Sequence, residues 1–254
     1  MIAAYSELNA RLDELEANLS FTAIATSLRP RLGSALNWDV GGEAVEYAQQ
    51  FMGMKAIPEN IYGALLVRTV AAFERFARLL VDDAARRTAA TGKAYSDLAE
   101  QVRNRHAVLT GRLLSSLEEP REYQVIDVKQ LAENLASCVS GDPSFRLNTS
   151  AFAAVVINGS PQIIEKALGN LGIDGWWDAI GATTKLQKLL GTKTTRDTSK
   201  AANRRLEELC RRRNQIAHAG TADITVSESD LRQDIKFVRT LAEALSNELE
   251  ARLK

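Results

Sequence analysis

The sequence has few of the residues that build metal centres and disulfide frameworks. Among its 254 residues there are two cysteines and two histidines. Cys138 and Cys210 cannot form a disulfide framework or a metal cluster, and we expect both to be free, apolar thiols in a reducing compartment. No Cys/His cluster, carboxylate cluster or His-x-His spacing occurs. The sequence therefore predicts no metal and no other cofactor.

Long apolar runs and an excess of one charge are also absent. No apolar stretch approaches the roughly 18 residues that a membrane span requires, and residues 1–8 lack the basic region of a signal peptide. We therefore expect a soluble cytoplasmic protein that does not bind membranes. The formal net charge of zero gives the whole molecule no general attraction to polyanions.

Helical periodicity accounts for most of the chain, with Gly, Pro and Asn between the periodic segments. We predict an all-α, multi-helix bundle of eight to ten helices. The predicted helices span residues 3 to about 28 (ended by Arg29-Pro30), 43–53, 58–90, 94–118, 127–138, 149–158, 161–170, 176–190, 196–218 and a last helix capped by Ser227. Residues 123–126 form the one short extended-looking run.

An arginine interrupts the apolar stripe of the 196–218 helix. Apolar residues recur there at steps of three and four, which is typical of the buried face of an amphipathic helix. Arg213 stands where the series requires an apolar residue, whereas Arg211 and Arg212 fall off the stripe and can reach water. An unpaired buried guanidinium would be costly, so Arg213 needs a partner in the core or in another molecule.

Glu74 is the acid set between apolar neighbours in the 58–90 helix. A buried carboxylate needs a partner, and Arg213 is the obvious candidate elsewhere in the chain. Alternatively, Glu74 lies at the rim of the core and extends to water. The sequence leaves both interpretations open.

His218 follows Arg213 by five residues, and Gly220 then supplies a helix stop. Residues five apart on a helix point about 140° apart, so the two side chains share a ligand only if the helix end loosens or they flank a cleft. The other histidine, His106, lies on the apolar side of its helix and is expected to be structural. Trp176 and Trp177 are predicted to be core or interface anchors, with base stacking as the alternative.

The segment Arg-Asn-Gln-Ile-Ala-His-Ala-Gly at 213–220 resembles the Arg-x4-His signature of the HEPN superfamily (higher eukaryotes and prokaryotes nucleotide-binding), and is closest to the RiboL-PSP type. Residues 71–76 resemble the first core helix of that type, which carries a Glu after an apolar run. The resemblance covers 1–55 poorly. We therefore expect a helical extension at 1–55 and a HEPN-like domain at 56–254.

The resemblance implies a metal-independent endoribonuclease that acts on RNA as a homodimer, as bacterial toxin and phage-defence ribonucleases do. A cognate antitoxin or a defence-system partner is then a possible binding partner. The catalytic set implied for this chain is Arg213, His218, Asn214 and Glu74. The nucleotidylated subgroup has Tyr two residues after the motif histidine, where this chain has Gly220, so modification at that position is not supported.

Basic residues precede the motif. Residues 183–213 hold ten Lys or Arg against three acids, a pattern that suits a phosphate-bearing partner or, alternatively, a solvated helix face. The candidate nucleic-acid contacts are Lys200, Arg204, Arg205, Arg211 and Arg212. Two further functions fit the same pattern: a non-catalytic helical interaction module, and an RNA- or nucleotide-binding regulator, although no helix-turn-helix pattern is evident.

Overall fold

The computed structural model describes residues 3–35, 58–92, 94–116, 127–219 and 225–253. Within these ranges the chain forms ten α-helices and one 3-10 turn, with no strand, so the all-α prediction is confirmed. The helices are α1 (Ala3–Ala35), α2 (Pro58–Thr91), α3 (Glu100–Ser115), α4 (Val128–Val139), α5 (Thr149–Ala153), α6 (Pro161–Gly169), α7 (Trp176–Gly181), α8 (Thr184–Leu190), α9 (Thr195–Ala219) and α10 (Glu228–Arg252).

Helix α2 lies at the centre of the bundle. It packs against α1, α5, α6, α9 and α10, which surround it on several sides. Its broad apolar face explains this position, because Leu66, Phe73, Phe76 and Leu80 are all buried. Pro58 begins the helix, as expected for a residue that has no N–H to leave unpaired at the first turn.

Helix α1 contributes to the same core. Its stripe of Leu8, Leu12, Leu15 and Leu19 is buried, and the helix packs against α2 and α10. The prediction that Arg29-Pro30 ends this helix is wrong, because α1 continues to Ala35. A proline removes one intrahelical hydrogen bond, which can kink a helix without ending it. The division of the chain at residue 55 stays a prediction.

The single helix predicted for 176–190 is two helices, α7 and α8, which was not foreseen. The Gly181 carbonyl accepts a hydrogen bond from Gln187 Nε2 at 3.0 Å, which closes the end of α7. Ser199 of α9 donates to the Trp177 carbonyl at 2.8 Å. A Cβ at Gly181 would lie 2.2 Å from Ser199 Oγ, so the absence of a side chain lets α9 approach this turn. Trp176 and Trp177 are buried, as core anchors should be.

Helix boundaries elsewhere agree with the predictions in part. Asp127 caps α4 by accepting from the Gln130 N–H at 2.9 Å, and Ser227 caps α10 by accepting from the Asp230 N–H at 3.1 Å, both as predicted. The helix predicted from 94 begins at Glu100, after the 3-10 turn Tyr95–Asp97.

The helix predicted for 149–158 ends at Ala153. The helix predicted for 43–53 and the run at 123–126 lie outside the described residues. No helix in the described ranges has both the length and the apolarity needed to cross a bilayer.

Candidate active site

An ion pair between Glu74 of α2 and Arg213 of α9 joins the two central helices. The Glu74 side chain is buried and its Oε1 accepts a hydrogen bond from Arg213 Nη2. The backbone N–H of Gly159, in the turn between α5 and α6, donates to the same oxygen at 3.3 Å. Glu74 is therefore the partner of Arg213, and the interpretation that placed it at a solvated rim is wrong.

Gly159 can reach Glu74 because it has no side chain. A Cβ at this position would lie 3.1 Å from Phe73 Cδ1 and 3.2 Å from Glu74 Cγ, which is tighter than ordinary packing. The sequence carries no signal for this contact, since Gly159 is 85 residues away from Glu74 in the chain.

Arg213 keeps part of its guanidinium available to a ligand. The side chain is 22% exposed, and Nη1 donates to the side-chain oxygen of Asn214 at 2.9 Å. A guanidinium has five N–H donors. Two of its nitrogens are held by Glu74 and Asn214, which orients the group, and its remaining donors have no acceptor among the described residues.

Cys210 lies one helical turn before Arg213 and is also buried. Burial raises the pKa of its thiol to about 12, and the neighbouring Glu74 carboxylate acts in the same direction while Arg213 opposes both. The thiol therefore stays protonated and packs as a small apolar group, as the sequence predicted. Cys138 is likewise free and buried.

His218 is exposed near the end of the same helix. Helix α9 is continuous to Ala219, so it does not loosen before His218, and the two side chains leave it about 140° apart. Loosening was one of two ways in which Arg213 and His218 could share a ligand within one chain, and the structure contradicts it. The other, a cleft flanked by the two side chains, stays a prediction, because residues 220–224 lie outside the described residues.

Two of the predicted RNA-binding arginines are partly buried and pair with a carboxylate of the protein. Arg212 Nη1 donates to Asp234 Oδ2 of α10 at 2.9 Å, and Arg205 Nη2 donates to Asp234 Oδ1 at 3.5 Å. Arg205 also lies over the Phe237 ring, 4.8 Å from its centroid. The expectation that Arg212 reaches water freely is wrong, because its side chain is only 18% exposed.

The other three predicted contacts remain on the surface. Arg211 pairs with Glu208 at 2.6 Å, while Lys200 and Arg204 are exposed and line a shallow cleft that Trp177 also borders. The structure therefore divides the basic segment into an outward set, Lys200, Arg204 and Arg211, and an inward set that binds Asp234.

Asp234 is the important residue that the sequence interpretation missed. It is buried, and burial raises the pKa of its carboxyl while Arg212 and Arg205 act in the opposite sense. The signal was present in the sequence: Asp234 lies beside Ile235, three residues after Leu231, on the apolar stripe of the last helix. The same pattern of an acid on a buried stripe had singled out Glu74.

His106 is a structural histidine, as predicted. It is buried, and its Nε2 accepts from the Asn148 N–H at 2.9 Å, so that nitrogen is unprotonated. Its Nδ1 is 3.2 Å from the Tyr95 hydroxyl, which donates onward to the Arg103 carbonyl at 3.0 Å. Nδ1 therefore carries the proton of a neutral ring, and burial lowers the pKa of His106 to about 4. His106 has no free group for catalysis.

The described residues contain no group of three or more His, Cys, Asp or Glu side chains placed to hold a metal ion.

Residues 49–251 match the sequence profile of the family described as RiboL-PSP-HEPN, a span that includes α2 to α9 and nearly all of α10 but none of α1. No curated protein and no solved structure matches the chain significantly.

Proposed function

The chain belongs to the RiboL-PSP-HEPN family, and on that basis we propose that it is an endoribonuclease that cleaves RNA without a metal ion at the Arg213–His218 motif. The observation that carries the proposal is that Glu74 and Asn214 together hold the Arg213 guanidinium. These contacts keep a charged, partly exposed side chain in one orientation on α9, the helix that carries His218 next to its last residue.

The reaction requires three contributions from the protein. The RNA 2′-hydroxyl attacks the adjacent phosphorus, which forms a 2′,3′-cyclic phosphate and releases the 5′-oxygen of the next nucleotide. A base takes the 2′-hydroxyl proton, an acid gives a proton to the 5′-oxygen, and a cation stabilises the extra negative charge on phosphorus. Histidine suits proton transfer near neutral pH, and a guanidinium suits the phosphate oxygens.

Glu74 acts through Arg213 in this proposal and is a positioning residue. Its carboxylate is held by Gly159 and faces Arg213, so it fixes the guanidinium without contacting RNA. Asn214 holds the other end of the guanidinium. Such fixed donors stabilise charge in a transition state without having to reorganise.

A single chain supplies one motif histidine, whereas the reaction uses an acid and a base. We therefore place the active centre at a two-fold dimer interface, where His218 of one protomer and His218 of its partner flank the same phosphate. The exposure of His218 at the end of α9 leaves it accessible to a second copy.

The main alternative is that the Glu74–Arg213 pair is a structural link between α2 and α9. The observation that favours it is that Glu74 already neutralises the charge of Arg213. The protein would then be a non-catalytic interaction module, or a regulator that binds RNA or a nucleotide without cleaving RNA.

Incubation of the purified protein with total RNA in EDTA tests the proposal. We expect cleavage by wild type, products with 2′,3′-cyclic phosphate and 5′-hydroxyl ends, and loss of cleavage in His218→Ala. The matched control is Glu207→Ala, which changes an exposed residue of the same helix. Cleavage that survives in His218→Ala would contradict the proposal, as would cleavage that EDTA abolishes.

Mixing protomers tests the shared active centre. Excess His218→Ala protein, re-equilibrated with wild type, should depress activity below the level that dilution alone gives, because most wild-type protomers would then lack a competent partner. A strictly proportional decrease would mean that each chain works alone.

The biological setting that we propose is a toxin or phage-defence system. Expression of the wild type should then arrest growth, while His218→Ala expressed to the same level should not. Equal growth with both proteins would remove the support for a toxin role while leaving the enzymatic proposal intact.

A further inference from the structure

A second cleft, with a volume of about 630 Å³, lies between α3 and the segment formed by α5 and α6. The proposed active site uses none of its residues. Part of its wall is aliphatic, since Leu109, Leu113, Val155 and Ile163 line it. Its volume is within the range of roughly 300–1,000 Å³ that is typical of small-molecule sites.

Three cations surround this cleft. Arg105 and Arg112 are seven residues apart on α3 and therefore share a face of that helix, and Lys166 faces the same cleft from α6. All three are exposed, and none forms an ion pair with another described residue. The described lining contains no acid. The cleft thus combines an aliphatic wall with about three positive charges that the described residues do not neutralise.

Asn170 adds a polar side chain to the wall of this cleft. It lines the same cleft and is only 6% exposed. Its side-chain amide has no hydrogen bond to any described residue, although its backbone N–H donates to the Lys166 carbonyl at 3.1 Å. An amide that borders a cleft without a described protein partner can hydrogen-bond a molecule bound there, since it offers both donors and an acceptor.

We propose that this cleft binds a small phosphomonoester that carries an aliphatic body. Two guanidinium groups and an ammonium match the two charges and three acceptor oxygens of a phosphomonoester better than the single charge of a carboxylate. The aliphatic side chains cover the body of the ligand, and the amide of Asn170 bonds to a polar atom near the phosphate. No aromatic ring is among the described lining residues, so the cleft offers no platform for a nucleobase.

Titration calorimetry with n-octyl phosphate tests this site directly. Wild type should bind, and the double variant Arg112→Gln/Lys166→Gln should bind at least tenfold more weakly. Asn170→Asp should weaken binding to a similar extent, because it places a negative charge beside the phosphate. The control is Lys236→Gln, which removes an exposed cation from α10 and should bind like wild type. Circular dichroism confirms that each variant is folded; the exposed Arg112 and Lys166 keep the test valid even if Asn170→Asp misfolds.

Three further probes identify the ligand class. Octanoate, inorganic phosphate and AMP should each bind at least tenfold more weakly than octyl phosphate, and His218→Ala should bind octyl phosphate like wild type. Absence of octyl phosphate binding, or equal binding by the double variant, would overturn the proposed site. Tighter binding of AMP would overturn the aliphatic assignment and indicate a nucleotide site.

Discussion

Helix α9 is held to the bundle by two buried carboxylates, Glu74 on α2 and Asp234 on α10. Glu74 binds Arg213, and Asp234 binds both Arg205 and Arg212. Arg212 and Arg213 are adjacent in sequence, yet they turn to opposite neighbours of the helix. The two ion-pair clusters therefore hold the same helix from two sides.

Exposure does not distinguish the two clusters. The arginine side chains are 26%, 18% and 22% exposed for Arg205, Arg212 and Arg213. Charge does distinguish them, because two guanidinium groups share Asp234 and leave one excess positive charge, whereas the Glu74–Arg213 pair is neutral. A buried ion pair on α9 is thus no sign of a site by itself. What marks the Glu74 side is the chain around it: Asn214 on the guanidinium, then an exposed histidine.

The largest expected effect compares the two adjacent arginines. Arg213→Lys should lower the rate of RNA cleavage by about 10²–10³-fold, since lysine keeps the charge opposite Glu74 but does not provide the bidentate fork. Arg212→Lys, which can still pair with Asp234, should change the rate by less than about threefold, well below the effect of removing an oriented donor. Single-turnover cleavage of a labelled RNA measures both. Similar decreases of the cleavage rate in the two variants would contradict the assignment of Arg213, and not Arg212, to the active site.

Neutralising the two carboxylates one at a time should show that Asp234 contributes more to stability and Glu74 more to activity. Asp234→Asn leaves two partly buried guanidinium groups without a counter-charge and should lower the free energy of unfolding by about 3–5 kcal/mol. Glu74→Gln leaves one guanidinium instead of two without a counter-charge, so it should cost less, about 1–3 kcal/mol.

The order of the two variants should reverse in activity. Glu74→Gln should reduce kcat by up to about 10²-fold because Arg213 is misplaced, with little change in KM, whereas Asp234→Asn should keep kcat at temperatures where it is folded. Urea unfolding and steady-state kinetics check the pair. A larger decrease of kcat in Asp234→Asn would assign the site to the wrong carboxylate.

Acid titration extends the comparison to the two histidines. Burial lowers the pKa of His106 to about 4 from an ordinary value of 6.5. Between these values the unfolded chain binds a proton that folded His106 excludes, so the contribution of His106 to stability is fully present above pH 6.5 and is lost as pH falls to about 4. The decrease due to His106 should reach about 3 kcal/mol. Urea unfolding should show that His106→Gln removes this component, while His218→Ala retains it.

The smallest expected effect concerns the outward basic set. Replacing Lys200, Arg204 and Arg211 by Gln should weaken RNA binding and reduce the slope of log K against log salt by about 0.7 for each RNA phosphate that is no longer neutralised. Lys236→Gln, on α10, is the control and should leave the slope unchanged. Arg205 and Arg212 are left intact because they hold Asp234. An unchanged slope in the triple variant would mean that this set is a solvated face.

Periodicity predicted the helices well because a helix buries an apolar face, and the spacing of its apolar residues by three and four can be read directly from the sequence. The ends of the helices were harder to predict from the sequence. Pro30 did not end α1, and at the division between α7 and α8 the carbonyls of α7 accept hydrogen bonds from Gln187 of α8 and from Ser199, 22 residues after Trp177. Local sequence patterns such as proline and glycine positions do not reveal hydrogen bonds of this kind between helices.

The sequence alone determined which residues needed a partner: Arg213 and Glu74 each interrupt an apolar stripe, and burying either charge unpaired would be too costly. It also contains a motif that resembles the family to which the profile match over residues 49–251 assigns the chain. Only the tertiary structure decided that these two residues meet, that Arg212 turns inward to Asp234, and that Gly159 completes the carboxylate's contacts. The physical reason is that a stripe specifies that a side chain is buried, whereas its partner depends on which helices pack together.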